Sequence, residues 1–249
     1  MTAPFSSDGL MTVGLAFALL IGVVGVVALA FRRRPDPRWT TVAVLVITAL
    51  VLAIFFRVAP TFGFETGLEW NWLGKGFAIG ACLFAVALMP GVRWADVGLR
   101  LPEPGSLRPG LIAGAILCLT GWAVTLFLPG GGGPPPTTET LLYQASLPGL
   151  HEELFHRAIV TLLLDRALGQ FGGVRIAGAT LTPGAFASIA WFGLLHGIGV
   201  QDGAFGFSWE AVLMSTAAGF GLQWIYARTR SLLLPVLAHN LMNVGLVFL

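Results

Sequence analysis

Eight apolar stretches, separated by short polar loops, repeat along the 249 residues of the chain. Most of them are close to the roughly 20 residues that an α-helix needs to cross the hydrocarbon core of a bilayer. We therefore predict an all-α fold, a polytopic membrane helix bundle with about eight transmembrane helices. The predicted spans are residues 10–31, 39–56, 76–90, 110–128, 147–168, 183–200, 209–226 and 232–249.

Composition points to the same class of protein. Hydrophobic residues make up 56% of the chain and charged residues only 10%, whereas a soluble domain carries about 25% charged residues. The mean hydropathy is +0.83, so the lipid bilayer is a predicted partner. No basic stripe with interleaved aromatic residues accompanies the net charge of +2, and nucleic acid is therefore not a predicted partner. Cys82 and Cys118 lie within apolar stretches and are interpreted as small buried hydrophobic residues.

The distribution of basic residues predicts the orientation of the spans. Of the predicted loops, those after the first, third, fifth and seventh spans contain most of the arginines, whereas the opposite loops contain only Arg57 and Lys75. Loops rich in Lys and Arg face the cytoplasm. We therefore predict an integral protein of a bacterial plasma membrane with both termini extracytoplasmic.

A glycine- and proline-rich sequence, PGGGGPPP, divides the chain. It contains no good helix former and is typical of a linker in which flexible glycines join a stiff polyproline piece. We predict a four-span membrane scaffold at residues 1–128, the linker at 129–136 and a four-span core at 137–249. Only the core has spans with charged or histidine side chains in their interior.

Three charged side chains interrupt the fifth span, in the sequence HEELFHR at residues 151–157. Because an ionised side chain at the centre of a membrane helix costs about 2.5 to 3.5 kcal/mol, a lipid-facing helix would not carry them. Residues four apart share a helix face, so Glu153 and Arg157 are interpreted as a structural ion pair. Glu152 projects about 100° away from Glu153 and can point into a cavity, with His156 as its candidate partner on the same helix.

Polar residues also interrupt the sixth and eighth spans. His196 follows Phe192 by one turn in WFGLLHG, and Asn243 follows His239 by one turn in AHNLMN. The directions of the spans place Glu152 and His196 at matching depth below the outer surface, with His239 near the middle of the membrane. We predict that these side chains line one pocket that opens to the extracytoplasmic side.

The residue types in this pocket are suited to hydrolysis of an amide. A carboxylate beside a histidine can activate water, and His239 and Asn243 can donate hydrogen bonds to a developing oxyanion. Metal-assisted hydrolysis is the alternative, with Glu152, His196 and His239 as zinc ligands and water as the fourth. The short zincin helix motif is absent, because Phe155 stands four residues after His151.

Three motifs in this order resemble the signature of the CAAX prenyl protease and bacteriocin-processing family (CPBP, or Abi) of intramembrane proteases: Glu152-Glu153-x-x-x-Arg157, Phe192-x-x-x-His196 and His239-x-x-x-Asn243. The resemblance covers roughly the C-terminal half and implies a fold of about eight helices. It implies that Glu152 is the catalytic glutamate and that His196 orients water. It also implies that His239 and Asn243 stabilise the oxyanion, while Glu153, Arg157 and Phe192 are structural.

From the residues and the resemblance together we predict an intramembrane endopeptidase. Its partner is a membrane-anchored protein or peptide, cut near the extracytoplasmic face, as in the processing of C-terminal anchor signals. The arginine distribution argues against a prenylated cytosolic substrate. A metal-free glutamate mechanism without a cofactor is favoured, although family members have been described as both glutamate-type and metal-dependent enzymes, and a zinc version stays open. So does a non-catalytic immunity or scaffold protein of the same fold.

Overall fold

Eight long helical segments dominate the computed structural model, which describes residues 7–55, 67–127, 135–169 and 172–249. A short helix, α5 (Thr138–Gln144), and a 3₁₀ turn at Trp94–Val97 are also present. The fifth long segment combines two α-helices, α6 and α7, with a π-helical segment between them. The long segments are α1 (Ser7–Ala30), α2 (Pro37–Phe55), α3 (Trp72–Leu88), α4 (Leu107–Leu126), α6 (Leu147–Glu152) with the π segment (Glu153–Val160) and α7 (Thr161–Leu168), α8 (Pro183–Gly197), α9 (Trp209–Thr229) and α10 (Leu233–Leu246).

Two small antiparallel hairpins correct the all-α prediction, so the fold is mostly helical. Strands β1 (Val174–Ile176) and β2 (Ala179–Leu181) pair with each other, as do β3 (Ile198–Gln201) and β4 (Ala204–Phe207). Each hairpin turns through two residues with positive φ, Ala177-Gly178 and Asp202-Gly203, which is the geometry of a tight hairpin turn. The sixth predicted span, 183–200, therefore ends as a helix at Gly197.

The third helix begins four residues before the predicted span 76–90. The side chain of Asn71 accepts a hydrogen bond from the Gly74 N–H at 3.0 Å and caps the helix, which then starts at Trp72. Lys75 consequently lies in the first turn of α3 and not in a loop. The predicted linker at 129–136 lies mostly outside the described residues, and the division at that point stays a prediction.

The surface of several helices is apolar. By length and composition, two helices within the described residues are suited to crossing a membrane, Leu10–Ala30 and Leu107–Leu126, and three shorter ones are also apolar. On α4 the side chains of Leu111, Ile116 and Leu119 are each more than half exposed. Contiguous exposed apolar surface of this kind is typical of contact with lipid or another protein.

The main hydrophobic core joins the two halves of the chain. It contains residues of α1 to α3, such as Ile47 and Cys82, together with residues of the π segment, α7 and α8, such as Ile159 and Trp191. The Trp191 indole donates a hydrogen bond to the carbonyl of Ala16 at 2.9 Å, which fixes α8 against α1. As a result, α3 packs beside α6 and brings a residue of the N-terminal half to the site described next.

Candidate active site

A π-helical segment carries the charged motif. Over Glu153–Val160 the helix is wider than an α-helix, and the His156 carbonyl accepts hydrogen bonds from Thr161 Oγ1 at 3.0 Å and Ser188 Oγ at 2.8 Å. The ring of His156 packs against Trp191 and does not hydrogen-bond to Glu152. The expected pairing of Glu152 with His156 was wrong, because it assumed 3.6 residues per turn.

The structure places the carboxylate of Glu152 opposite two imidazoles from other helices. Its Oε2 lies 3.9 Å from Nε2 of His196, at the end of α8, and 3.9 Å from Nε2 of His239, in the middle of α10. The Glu152 side chain retains 20% of its exposure. The four histidines of the chain are all close to this point, since His151 and His156 flank Glu152 on its own helix segment.

Hydrogen bonds at the other ring nitrogen orient both imidazoles. His196 Nδ1 lies 2.8 Å from the Phe192 carbonyl, and His239 Nδ1 lies 2.8 Å from Glu153 Oε1. A carbonyl and an ionised carboxylate only accept hydrogen bonds, so each Nδ1 carries its proton. In the neutral state both rings therefore turn an unprotonated Nε2 towards Glu152, the side from which they can bind water.

Glu153 and Arg157 are fully buried and form the predicted ion pair. Arg157 Nε lies 3.1 Å from Glu153 Oε2, and neither side chain has any exposure. The Arg157 guanidinium also sits over the Phe192 ring, with its central carbon 4.5 Å from the ring centroid. Since Glu153 also holds His239, the pair does more than neutralise charge: it fixes one imidazole of the site.

An apolar cavity of about 730 Å³ adjoins these groups. His196, His239 and Asn243 line it together with apolar residues of α4, α9 and α10, among them Leu117 and Leu246. Among the described residues, no hydrogen-bond partner is found for the Asn243 side chain, so its amide is free to donate into the cavity. The structure therefore brings Asn243 to the same space as the two imidazoles.

Two residues at the site were missed by sequence reasoning. The Lys75 ammonium lies 2.9 Å from Glu152 Oε1 and 3.1 Å from His151 Nδ1. Asn240 joins α10 to the start of α6, because its Oδ1 accepts from the Gly149 N–H at 2.8 Å and its Nδ2 donates to the Ser146 carbonyl at 3.0 Å. A Cβ at Gly149 would clash with this amide. The signal for Lys75 was available, since it is the only lysine in the sequence.

The short helix α5 supports this side of the site. Its Glu139 accepts hydrogen bonds from the Trp70 N–H at 2.9 Å and from the Trp72 indole at 3.1 Å, and Tyr143 stacks on Trp70. The hydrogen bond from the Trp70 backbone lowers the pKa of Glu139 below its ordinary value. The segment that leads into α3, and with it Lys75, is thus held by contacts from the C-terminal half.

The arrangement was tested as a metal centre. Glu152, His196 and His239 are the residues proposed as zinc ligands, and their second ring nitrogens are held as metal-binding histidines usually are. Within the described ranges, however, no group of three or more His, Cys, Asp or Glu side chains is spaced to hold a metal ion. Glu152 Oε1 instead contacts the Lys75 ammonium, a cation that competes for the same carboxylate.

These features define a mostly helical, apolar chain with a carboxylate and two imidazoles gathered inside its helix bundle. Residues 134–245 match the family described as "Type II CAAX prenyl endopeptidase Rce1-like". This part of the chain belongs to that family, which confirms the resemblance drawn from the three motifs. Family membership implies a protease, and together with the apolar helices it implies a membrane location. Comparison with curated proteins and with solved structures found no match.

Proposed function

We propose that the chain is an intramembrane endopeptidase of the glutamate type, which cuts a membrane-anchored protein or peptide near the extracytoplasmic face. The observation that carries the proposal is the position of Glu152 Oε2, 3.9 Å from Nε2 of both His196 and His239. A water molecule between these groups meets a proton acceptor and two imidazoles. General base catalysis from such a position contributes roughly 10²- to 10⁴-fold to a rate.

In the proposed reaction, Glu152 accepts a proton from water while the water oxygen bonds to the carbonyl carbon of the substrate. His196, with its proton held at Nδ1, accepts a hydrogen bond from the same water and orients it. The carbonyl oxygen becomes an oxyanion, to which Asn243 donates. Glu152 then passes its proton to the amide nitrogen, the C–N bond breaks, and a carboxylate and an amine are released.

His239 donates to the oxyanion from Nε2 when the ring is protonated. Its Nδ1–H is already committed to Glu153, and the Glu153 carboxylate balances the positive charge of an imidazolium. This is the orienting role that a buried carboxylate plays for the histidine of a catalytic triad. The ion pair of Glu153 and Arg157 in turn holds that carboxylate in place.

The apolar cavity supports a substrate with an apolar segment. Its walls come from α4, α9 and α10, and His196, His239 and Asn243 are its principal polar lining beside a few small hydroxyl side chains. We propose that the membrane anchor of the substrate lies in this cavity, with the scissile bond at the polar end. Burial of an apolar segment contributes about 25 cal/mol per Å² removed from water or left unfilled by lipid.

Asn243→Ala tests the function. Loss of one oxyanion donor lowers kcat by roughly 10²- to 10³-fold in a hydrolase, and we expect a loss of that size with little change in KM. The substrate is found by comparing the masses of C-terminally anchored membrane proteins in cells with the wild-type chain and with the variant. The purified substrate then gives kcat and KM.

Asn240→Ala provides the matched control, because Asn240 is an asparagine of the same helix with a structural role. We expect this variant to lower the melting temperature, whereas Asn243→Ala leaves it unchanged. If no membrane protein changes mass and purified candidates stay intact, the chain is not a protease of this kind, and a non-catalytic immunity or scaffold protein replaces the proposal.

Metal removal separates the two hydrolytic mechanisms. Because Lys75 occupies one oxygen of Glu152, we expect activity to survive 1,10-phenanthroline and the purified protein to contain no stoichiometric zinc by elemental analysis. One bound zinc per chain, with turnover lost on chelation and restored by zinc, would move the mechanism to metal-assisted hydrolysis with Glu152, His196 and His239 as ligands.

The proposed orientation has a separate test. A cysteine at Ala145, exposed after α5, should react with an impermeant thiol reagent in intact cells, whereas a cysteine at Arg175, exposed in β1, should react only after the membrane is opened. The native Cys82 and Cys118 are buried and give a low background. The reverse labelling pattern would place the site on the cytoplasmic side and favour a cytosolic substrate.

A further inference from the structure

The only lysine of the chain lies at the candidate active site. Lys75 is in the first turn of α3, in the half of the chain that precedes the matched family residues 134–245. Its Nζ lies 2.9 Å from Glu152 Oε1, and the two side chains are only 22% and 20% exposed. An ion pair that is largely withdrawn from solvent is less screened than a surface pair and holds a more definite geometry.

The ammonium also contacts the residue that precedes Glu152. His151 Nδ1 lies 3.1 Å from Lys75 Nζ. Because an ammonium only donates hydrogen bonds, Nδ1 of His151 is the acceptor and its ring proton sits on Nε2. Lys75 thus bonds to two consecutive side chains of α6, which fixes the end of α6 relative to α3.

These contacts leave the two oxygens of Glu152 in different surroundings. Oε1 accepts from Lys75, whereas Oε2 faces His196 and His239. Without the ammonium, nothing among the described residues holds Oε1, and the carboxylate is free to rotate about its terminal torsion, which is broad for glutamate. The cation therefore selects the rotation in which Oε2 points at the imidazoles.

We propose that Lys75 is a positioning residue, which aims Glu152 Oε2 at the water held by His196 and His239. The inference rests on the proposed role of Glu152 as the base. It also assigns a task to the N-terminal helices, which supply through α3 a group that the C-terminal half lacks. The mounting of Lys75 suits this task, because Asn71 caps its helix and Glu139 holds Trp72.

The first test replaces Lys75 by methionine, which keeps the length of the side chain and removes its charge. A misplacement of a reacting group by about 1 Å can cost 10²-fold, so for Lys75→Met we expect kcat to fall roughly 10²-fold while KM changes less than about twofold. Lys75→Arg keeps a cation in reach of Oε1, and it should recover at least about a tenth of the wild-type kcat. A Lys75→Met variant that folds and keeps the wild-type kcat overturns the proposal.

A second test uses the folded wild-type protein, so that it does not depend on a variant that folds. Acetylation removes the charge of Lys75, whereas reductive methylation keeps it, and mass spectrometry locates either change at the one lysine. We expect the acetylated protein to lose kcat roughly 10²-fold and the methylated protein to lose much less. Equal activity of the acetylated and unmodified proteins overturns the proposal, as does equal loss in both modified forms.

Glu152→Gln separates this inference from the proposed function. If Glu152→Gln is inactive while Lys75→Met turns over normally, the positioning role fails and the glutamate mechanism stands. If Glu152→Gln itself turns over normally, the proposed function fails, and the role of Lys75 fails with it.

Discussion

Glu152→Gln is expected to abolish detectable proteolysis while the protein stays folded. The amide has the shape of the carboxylate, and its oxygen can still accept the hydrogen bond from Lys75. It cannot take a proton from water, and the loss of a general base costs roughly 10²- to 10⁴-fold. Cleavage of the purified substrate, measured beside the melting temperature in detergent, gives both quantities on the same sample.

Glu210→Gln is the matched control for this variant. Glu210 is exposed in the first turn of α9, far along the sequence from the polar motifs, so the same chemical change there should leave turnover within about twofold. Wild-type turnover by Glu152→Gln would show that another group is the base. A loss of melting transition in Glu152→Gln would show instead that the charge is needed for folding.

Arg157→Ala is expected to have the largest effect on stability. Neither Arg157 nor Glu153 has any exposure, so truncation leaves a carboxylate buried without its cation. Breaking a buried pair from one side costs about 3 to 5 kcal/mol, and the guanidinium contact with the Phe192 ring is lost as well. We expect low yield, aggregation and a strongly lowered melting temperature.

Two further variants make this prediction specific. Arg108→Ala removes an exposed arginine from the first turn of α4 and should change stability by less than about 0.5 kcal/mol. The double variant Arg157→Met with Glu153→Gln removes both charges at similar volume and should recover much of the melting temperature, since no buried charge is left unpaired. If Arg157→Ala folds normally and loses only activity, the structural reading is wrong.

The helical part of the fold could be predicted well from the sequence, because the apolar runs are long and clearly bounded. The predicted span 147–168 coincides with the segment from α6 to α7, and 39–56 differs from α2 by two residues or fewer. The errors occur at the ends of runs. At 198–207 the chain is as apolar as a helix, but Asp202 and Gly203 favour a tight turn, and a hairpin forms.

The family and its motif residues could also be predicted, because carboxylate, histidine and asparagine residues are rare in apolar helices. Glu152, His196 and His239 were identified by this contrast alone, and the structure brings them together. The roles assigned to them stay predictions. What the contrast could not show is the second partner of each group, such as the Glu153 carboxylate on His239, because these contacts join helices that are far apart in the chain.

By itself, the sequence determined the mostly helical class, the approximate spans and the residues able to carry chemistry, since hydrophobic periodicity and charge are local properties. Only the tertiary structure decided which oxygen of Glu152 faces the imidazoles. The π segment turns His156 into an aromatic pocket, and the packing of α3 on α6 brings Lys75 to Glu152. Both depend on backbone hydrogen bonding and helix packing over long separations in the chain, which no local pattern of residues specifies.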